Sequence, residues 1–215
     1  MKVIKSAPFH MQAYKLIKEE ILSYRMLGGE KVNENLLAQR LNISRSPIRE
    51  ALRMLERDRL LVYNASGLVV NPLPLEEVRE IYECRIMLES FAARLTAERI
   101  DDDNLRRLCR YIECTEEAHR LRDTAMVVES NTGFHDTIIS LCGNSHLIGL
   151  SEITRSLAIL SRSKELHGYK RSPDYLGEHK KILEALTRRD ADLAEQAVRR
   201  HIANDLAFFS KSVLG

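Results

Sequence analysis

The chain has no tryptophan, only five prolines, and four cysteines with no CxxC spacing among them. Each scarcity excludes something. Cys84, Cys109, Cys114 and Cys142 are scattered through segments of helical pattern, which excludes a zinc ribbon and speaks against a disulfide framework; such thiols suit a reduced compartment. No apolar run approaches the roughly 20 residues a membrane span requires. Lys2 and Lys5 lead into an amphipathic stretch rather than the apolar block of a signal peptide. The expected location is the cytoplasm, with no membrane partner. There is also no phosphate-binding glycine loop, no nucleophile motif and no internal repeat.

A strong overall charge is missing too, because the net is only +2, but its distribution is uneven. Residues 1–74 carry 12 lysines and arginines against 7 acids, and the remainder carry 21 against 24. A basic head on a mildly acidic body fits a DNA-binding domain joined to one with another task. At 215 residues the chain can build two cores. Asn71-Pro-Leu-Pro74 breaks the periodicity and reads as the linker between domains 1–74 and 75–215.

The most informative stretch is residues 43–61. At 100° per residue Ile48, Ala51, Leu52 and Leu55 form one stripe, and Arg45, Arg49, Arg53 and Arg57 another. Ser44 suits the N-cap and Pro47 the first turn. Taken alone, this helix reads equally well as a DNA-reading element or as a surface helix with a solvated arginine face. The flanks decide. Upstream, Asn33 to Asn42 reads as a short helix capped by Asn33, with Leu36, Leu37, Ala38 and Leu41 inward. Before it, a helix is expected over residues 8–27, with Tyr14, Ile17, Ile21 and Tyr24 inward and Gly28-Gly29 ending it. Downstream, Leu61 to Tyr63 and Leu68 to Val70 are β-prone runs around Asn64-Ala-Ser-Gly67, a hairpin pattern. Helix, turn, basic helix and hairpin is the order of a winged helix-turn-helix.

Residues 9–72, and above all Leu-Ala-Gln-Arg-Leu-Asn-Ile-Ser-Arg-Ser-Pro-Ile-Arg-Glu-Ala-Leu at 37–52, resemble the GntR family of bacterial transcription regulators. The resemblance implies that Asn35, Ser44, Arg45, Ser46 and Arg49 contact double-stranded operator DNA, with Gly67 at the wing tip. Arg45 and Arg49 can each offer a bidentate fork to guanine O6 and N7. The wing departs from the family: no Arg or Lys lies between residues 60 and 72, and Arg59 stands where a glycine is usual. Less wing contact to DNA is the expectation.

From Leu75 onward the pattern is helical, near 75–98, 102–121, 123–142, 145–167, 174–188 and 190–212. The predicted fold is mainly α: an N-terminal winged helix-turn-helix with a small β-hairpin wing, then a C-terminal antiparallel α-helical bundle. His135, His179 and His201 lie on different predicted helices. Their spacing is compatible with a divalent metal site, but long gaps carry little information, and spacing alone favours three unrelated histidines held by local hydrogen bonds. Arg85, with Glu89 one turn on, reads either as an effector clamp or as an ion pair on the helix surface. His10, His119, His146 and His167 read as surface groups.

Residues 79–205 are similar to the FCD ligand-binding domain of the FadR-type branch of that family. The shared pieces are Arg85-Ile-Met-Leu-Glu89, Phe134-His135, Gly143-Asn144, Glu178-His179, Asp190 and His201-Ile202. The resemblance implies a metal ion, zinc or nickel, held by His135, His179 and His201 and by an aspartate one turn before His135. Here that position is Asn131, a weaker ligand than a carboxylate. It also implies that Arg85 grips a small carboxylate effector. The expected function is sequence-specific DNA binding by a homodimeric transcription regulator, a repressor, whose operator affinity the effector modulates. Two alternatives stand beside it. One is a metal-dependent hydrolase on the three histidines, in which Asp136 and Glu178 would point away from the site. The other is a ligand-independent DNA-binding protein with a decayed pocket.

Overall fold

A computed structural model describes residues 7–168 and 173–214. Its contacts divide the chain between Leu73 and Pro74 into two compact units.

In the first unit, α1 (Phe9–Leu22) and α2 (Glu34–Leu41) pack on α3 (Arg45–Arg57). Ala13, Ile17 and Ile21 of α1 are fully buried, as are Ile48, Ala51 and Leu55 of α3. Helix α1 stops at Leu22 rather than at residue 27, because Tyr24 turns left-handed at φ 61° well before the glycines. Tyr24 therefore lies beyond the helix and is half-buried. Tyr14 is half-buried, and its hydroxyl donates to Asp58 at the end of α3. Asn33 caps α2 as predicted, its Oδ1 accepting from the amides of Asn35 and Leu36 at 3.0 and 3.1 Å. Only Leu37 of α2 is buried, and Leu36 is 62% exposed. A helix of two turns shows α3 a narrow face, so most of its apolar positions stay outside it.

Strands β1 (Leu61–Asn64) and β2 (Gly67–Val70) pair antiparallel, with Asn64 opposite Gly67. The tight turn follows from Asn64, whose side-chain oxygen accepts the Ser66 amide at 2.8 Å, and from Gly67 at φ 113°. A third extended segment joins them. Val32 donates to Leu68, and Val70 donates to Glu30, both at 2.9 Å. Asn71 to Leu73 do not behave as a loose linker. Asn71 donates to the Arg59 carbonyl at 2.9 Å and accepts the Leu73 amide at 2.8 Å, and Leu73 is fully buried. Pro72 and Pro74 break the helical pattern, but Leu73 between them belongs to the first core.

The second unit is a helical bundle of α4 (Leu75–Ala97), α5 (Asp102–Leu121), α6 (Thr124–Leu141), α7 (Ser145–Gly168), α8 (Leu176–Thr187) and α9 (Ala191–Leu214). Polar caps set the breaks. Asp101, Asp123, Asn144 and Asp190 each accept an amide of the next helix, at 2.8, 2.9, 3.1 and 3.0 Å. The predicted break from Gly168 to Pro173 falls largely on residues 169–172, outside the described residues. Helix α4 packs against α6, α7, α8 and α9. Gly133 lets α5 and α6 close up, since a Cβ there would meet the Tyr111 ring at 2.4 Å. The mainly α architecture, with its hairpin wing and helical bundle, is the one the sequence predicted.

Candidate functional site

Each unit carries its own candidate site. In the first, Ser44, Arg45, Ser46, Arg49, Arg53 and Arg57 are exposed on α3, and Asn35 is exposed on α2. The opposite stripe of α3 is consumed by the core, so the arginine face is the one left for a ligand. Ser44 stands at the N-cap position, but its side chain makes no cap hydrogen bond, contrary to the sequence reading. Arg49 is already engaged. Its Nη2 donates to Glu34 Oε1 at 3.0 Å and its Nε to Oε2 at 3.3 Å, and that contact holds the Glu34 carboxyl below its usual range. At the wing, a Cβ on Gly67 would lie 3.8 Å from Lys31 Cε. The cation absent from the hairpin is thus supplied by the neighbouring extended segment, which sequence reasoning missed because Lys31 lies far from the wing along the chain. Arg59 does adopt the left-handed backbone that favours glycine, at φ 58°.

In the second unit the inward stripe of α4 is interrupted by Arg85 and Glu89, both buried. Buried charge amid a helical apolar stripe is the local signal of a site. Arg85 Nε donates to Glu89 Oε1 at 2.7 Å, so the ion pair expected on the helix surface exists but lies in the interior. Among the described residues Arg85 Nη1 and Nη2 have no hydrogen-bond partner. The other Glu89 oxygen sits 2.8 Å from His135 Nδ1. Burial works to raise the Glu89 carboxyl, but Arg85, His135 and Arg162 outweigh it and hold it well below the ordinary carboxylate range.

His135 of α6, His179 of α8 and His201 of α9 come together, with one ring nitrogen from each within 4.8 Å of the others. All are buried. Phe134 stacks on the His179 ring with centroids 4.4 Å apart, which fixes that ring from one side. A carboxylate can only accept, so Glu89 places the proton of neutral His135 on Nδ1 and leaves a lone pair on Nε2. That Nε2 has no hydrogen-bond partner among the described residues. Burial, then the nearby Arg162 charge, push His135 down to about 3, so it is neutral at pH 7. Glu178 Oε2 does the same for His201 Nδ1, at 2.8 Å. This corrects the sequence reading, which turned Glu178 away from the cluster: on the first turn of α8 it reaches across to α9. Asp136 pairs instead with Arg155, whose Nε donates to it at 3.0 Å, although both residues border the adjoining cavity. Asn131 lies one turn before His135, buried, with its side-chain oxygen unpartnered. Of the remaining histidines, His119 is half-buried against the Tyr175 hydroxyl at 2.8 Å rather than free on the surface, and burial lowers it.

A cavity of about 190 Å³ opens beside the cluster, bordered by Arg85, His135, Ser151, Arg155 and Arg162 among others. Burial and the Arg85 charge both lower Arg162, which donates to Thr132 Oγ1 at 3.3 Å while its Nε is unpartnered. Two buried guanidinium groups with unused donors at one cavity make a receptor for an anion. Sequence reasoning found Arg85 and missed Arg162, whose surroundings in α7 carry no motif.

Comparison with known proteins finds a family match for each unit. Residues 10–67 match the model of the gntR family of bacterial regulatory proteins, and residues 80–204 match the FCD domain. The HTH-type transcriptional regulator YdhC of Bacillus subtilis is 34% identical over 206 residues, covering 95% of this chain and 92% of that protein. The gluconate operon transcriptional repressor of Bacillus licheniformis is 26% identical, covering 86% of this chain and 78% of its own. Escherichia coli McbR/YncC shares the fold with a TM-score of 0.82 at 19% identity, covering 97% of this chain and all of that one. A GntR regulator from Rhodococcus sp. RHA1 does so at 0.81 and 20%, covering 94% and 97%. The arginine face on a winged helix, the buried histidines and arginines of the bundle, and these matches converge: the chain belongs to the GntR family of bacterial regulatory proteins, in the branch with an FCD domain, and is a DNA-binding transcription regulator.

Proposed function

We propose that this regulator represses transcription as a homodimer on an inverted-repeat operator, and that a small carboxylate entering the bundle cavity weakens its hold on DNA. The observation that carries the proposal is Arg85. Its guanidinium is 1% exposed, borders the cavity, and has two nitrogens with no hydrogen-bond partner. Unsatisfied buried donors cost about 1–3 kcal/mol each, more when charged, and a carboxylate between Arg85 and Arg162 would relieve that cost.

The same reading includes a divalent ion, zinc or nickel, held by His135, His179, His201 and Asn131. The residues fit such an ion. Their nitrogen donors are borderline in softness, two carboxylates orient the rings from outside, and His135 Nε2 and Asn131 Oδ1 are buried acceptors without partners. When bound, the ion supplies a Lewis-acid docking point for the effector. The chain's own part is to exclude water, orient the acid through Arg85, and link cavity occupancy to the DNA-reading units.

The hydrolase reading loses ground on the same residues. Glu89 and Glu178 are committed to histidine nitrogens and Asp136 to Arg155, which leaves none of these carboxylates poised as a general base.

Operator affinity measured by fluorescence anisotropy, with a panel of small mono- and dicarboxylates, tests the proposal. At least one acid should weaken binding by roughly 5- to 150-fold, the usual range of allosteric coupling. Arg85→Lys should keep operator affinity and lose that response. Indifference to every acid, to metal and to chelator would instead favour the ligand-independent alternative.

A further inference from the structure

Resting on the metal reading above, the geometry points to Asp205 as the carboxylate ligand of the histidine site, taking over the role that Asn131 on α6 cannot fill.

Asp205 is 2% exposed on α9, and its Oδ2 lies 3.5 Å from His201 Nε2. His201 and Asp205 are four residues apart in His201-Ile-Ala-Asn-Asp205, so both project from one face of the helix. The tautomer of His201 gives the contact its meaning. Its Nδ1 donates to Glu178, so in the neutral ring Nε2 carries a lone pair. That lone pair faces His179 Nε2 at 3.2 Å and the Asp205 oxygen at 3.5 Å. With His201 Nε2 as the acceptor, a proton on His179 Nε2 bridges the two rings, and it is this proton that a cation would replace.

Two ligand groups overlap at His201. One is His135, His179 and His201; the other is Glu178, His201 and Asp205. Glu178 is turned to the outer nitrogen of His201, whereas Asp205 stands beside the Nε2 that His201 also turns to His179. Charge argues the same way. Three neutral imidazoles and a neutral amide would leave both charges of a buried divalent ion without a coordinating anion. Glu89 and Glu178 act only through the far ring nitrogens, while Asp205 alone of the three carboxylates stands beside an inner one. The pattern on α6 is Asn131–x3–His135, and that on α9 is His201–x3–Asp205. The carboxylate one turn from a histidine is present in this chain, on the other helix and in the reverse order.

The test uses the full chain stripped with a chelator and titrated with zinc against a chromophoric competitor. Cobalt(II) replaces zinc in a parallel visible spectrum. Asp205→Asn should weaken zinc by more than the roughly 10- to 100-fold typical of an outer-shell partner, and should shift the cobalt ligand-field bands. Asn131→Asp should change zinc affinity less than about threefold in the wild-type background, yet restore most of the loss in the Asp205→Asn background. A large gain from Asn131→Asp alone would overturn the assignment even if Asp205→Asn failed to fold. So would wild-type affinity and unchanged cobalt bands in Asp205→Asn, with His179→Ala still losing the ion; the metal reading would then survive. A wild-type chain that takes up neither zinc nor cobalt overturns both.

Discussion

Arg49 and Glu34 hold each other through two hydrogen bonds, 3.0 and 3.3 Å long, between the basic helix and the helix before it. An arginine assigned to base edges is therefore parked on a carboxylate in the DNA-free protein. Binding must exchange that partner for guanine or phosphate. Glu34→Gln removes both the competitor and a negative charge beside the DNA. Operator and random-sequence DNA should then bind more tightly, with random DNA gaining at least as much, so sequence discrimination falls. Anisotropy titrations at several salt concentrations measure this. Weaker operator binding would show that Glu34 positions Arg49 for reading rather than restraining it.

Arg45 is exposed and has no such competitor among the bonds described. Arg45→Ala should cost roughly 1–3 kcal/mol of operator binding and relax the preference at one base position, as footprints on substituted operators would show. An unchanged footprint would remove Arg45 from the reading face.

Arg59 is a non-glycine residue in the left-handed region, φ 58°, just before β1. Such a conformation costs an L-residue about 1–2 kcal/mol, partly offset because glycine loosens the unfolded chain. Arg59→Gly should raise stability by up to about 1 kcal/mol in urea unfolding. A fall would mean that the interactions of the arginine side chain outweigh its backbone strain.

A bound ion stabilises the folded state by mass action, by about 2.7 kcal/mol at one hundred times its dissociation constant. Adding a chelator to metal-replete protein should lower Tm, and His179→Ala should lower it by a similar amount and then be insensitive to chelator. Equal Tm for wild type and variant in zinc would speak for three histidines held only by hydrogen bonds.

Burial lowers His119 below its usual value, while in the unfolded chain it titrates near 6.5. The unfolded state therefore takes up the proton first. The contribution of neutral His119 is complete above about pH 6.5 and is lost as pH falls from there toward the lower folded value. Urea midpoints between pH 7.5 and 5 should decline less steeply in His119→Gln than in wild type. Parallel profiles would assign the acid sensitivity to other groups.

Local chemistry was legible in the sequence and tertiary reach was not. Asn33 announced the start of α2 because a short side chain caps an amide within three residues, an interaction that needs no partner from elsewhere, and Asp101, Asp123 and Asp190 cap their helices in the same local way. The stripe Ile48, Ala51, Leu52, Leu55 announced the buried face of α3 for the same reason, since its period belongs to one helix. Its register dictated that the arginines lie outside. Family resemblance extended this to the histidines, naming them without saying what surrounds them.

Only the fold decided which groups meet. Glu178 seemed to face away because its angle from His179 is set on α8, but its partner stands on α9, and no periodicity links the two helices. Arg162 and Asp205 border the site for the same reason, each carried there by the packing of α7 and α9 on α4. Lys31 reaches the wing because an extended segment pairs with β2. The sequence by itself determined the helices, their caps and their apolar faces, because those depend on contacts a few residues apart. The buried charge cluster, its tautomers and its cavity were decided only by tertiary structure, because electrostatic contacts of a few ångströms join residues that the chain keeps far apart.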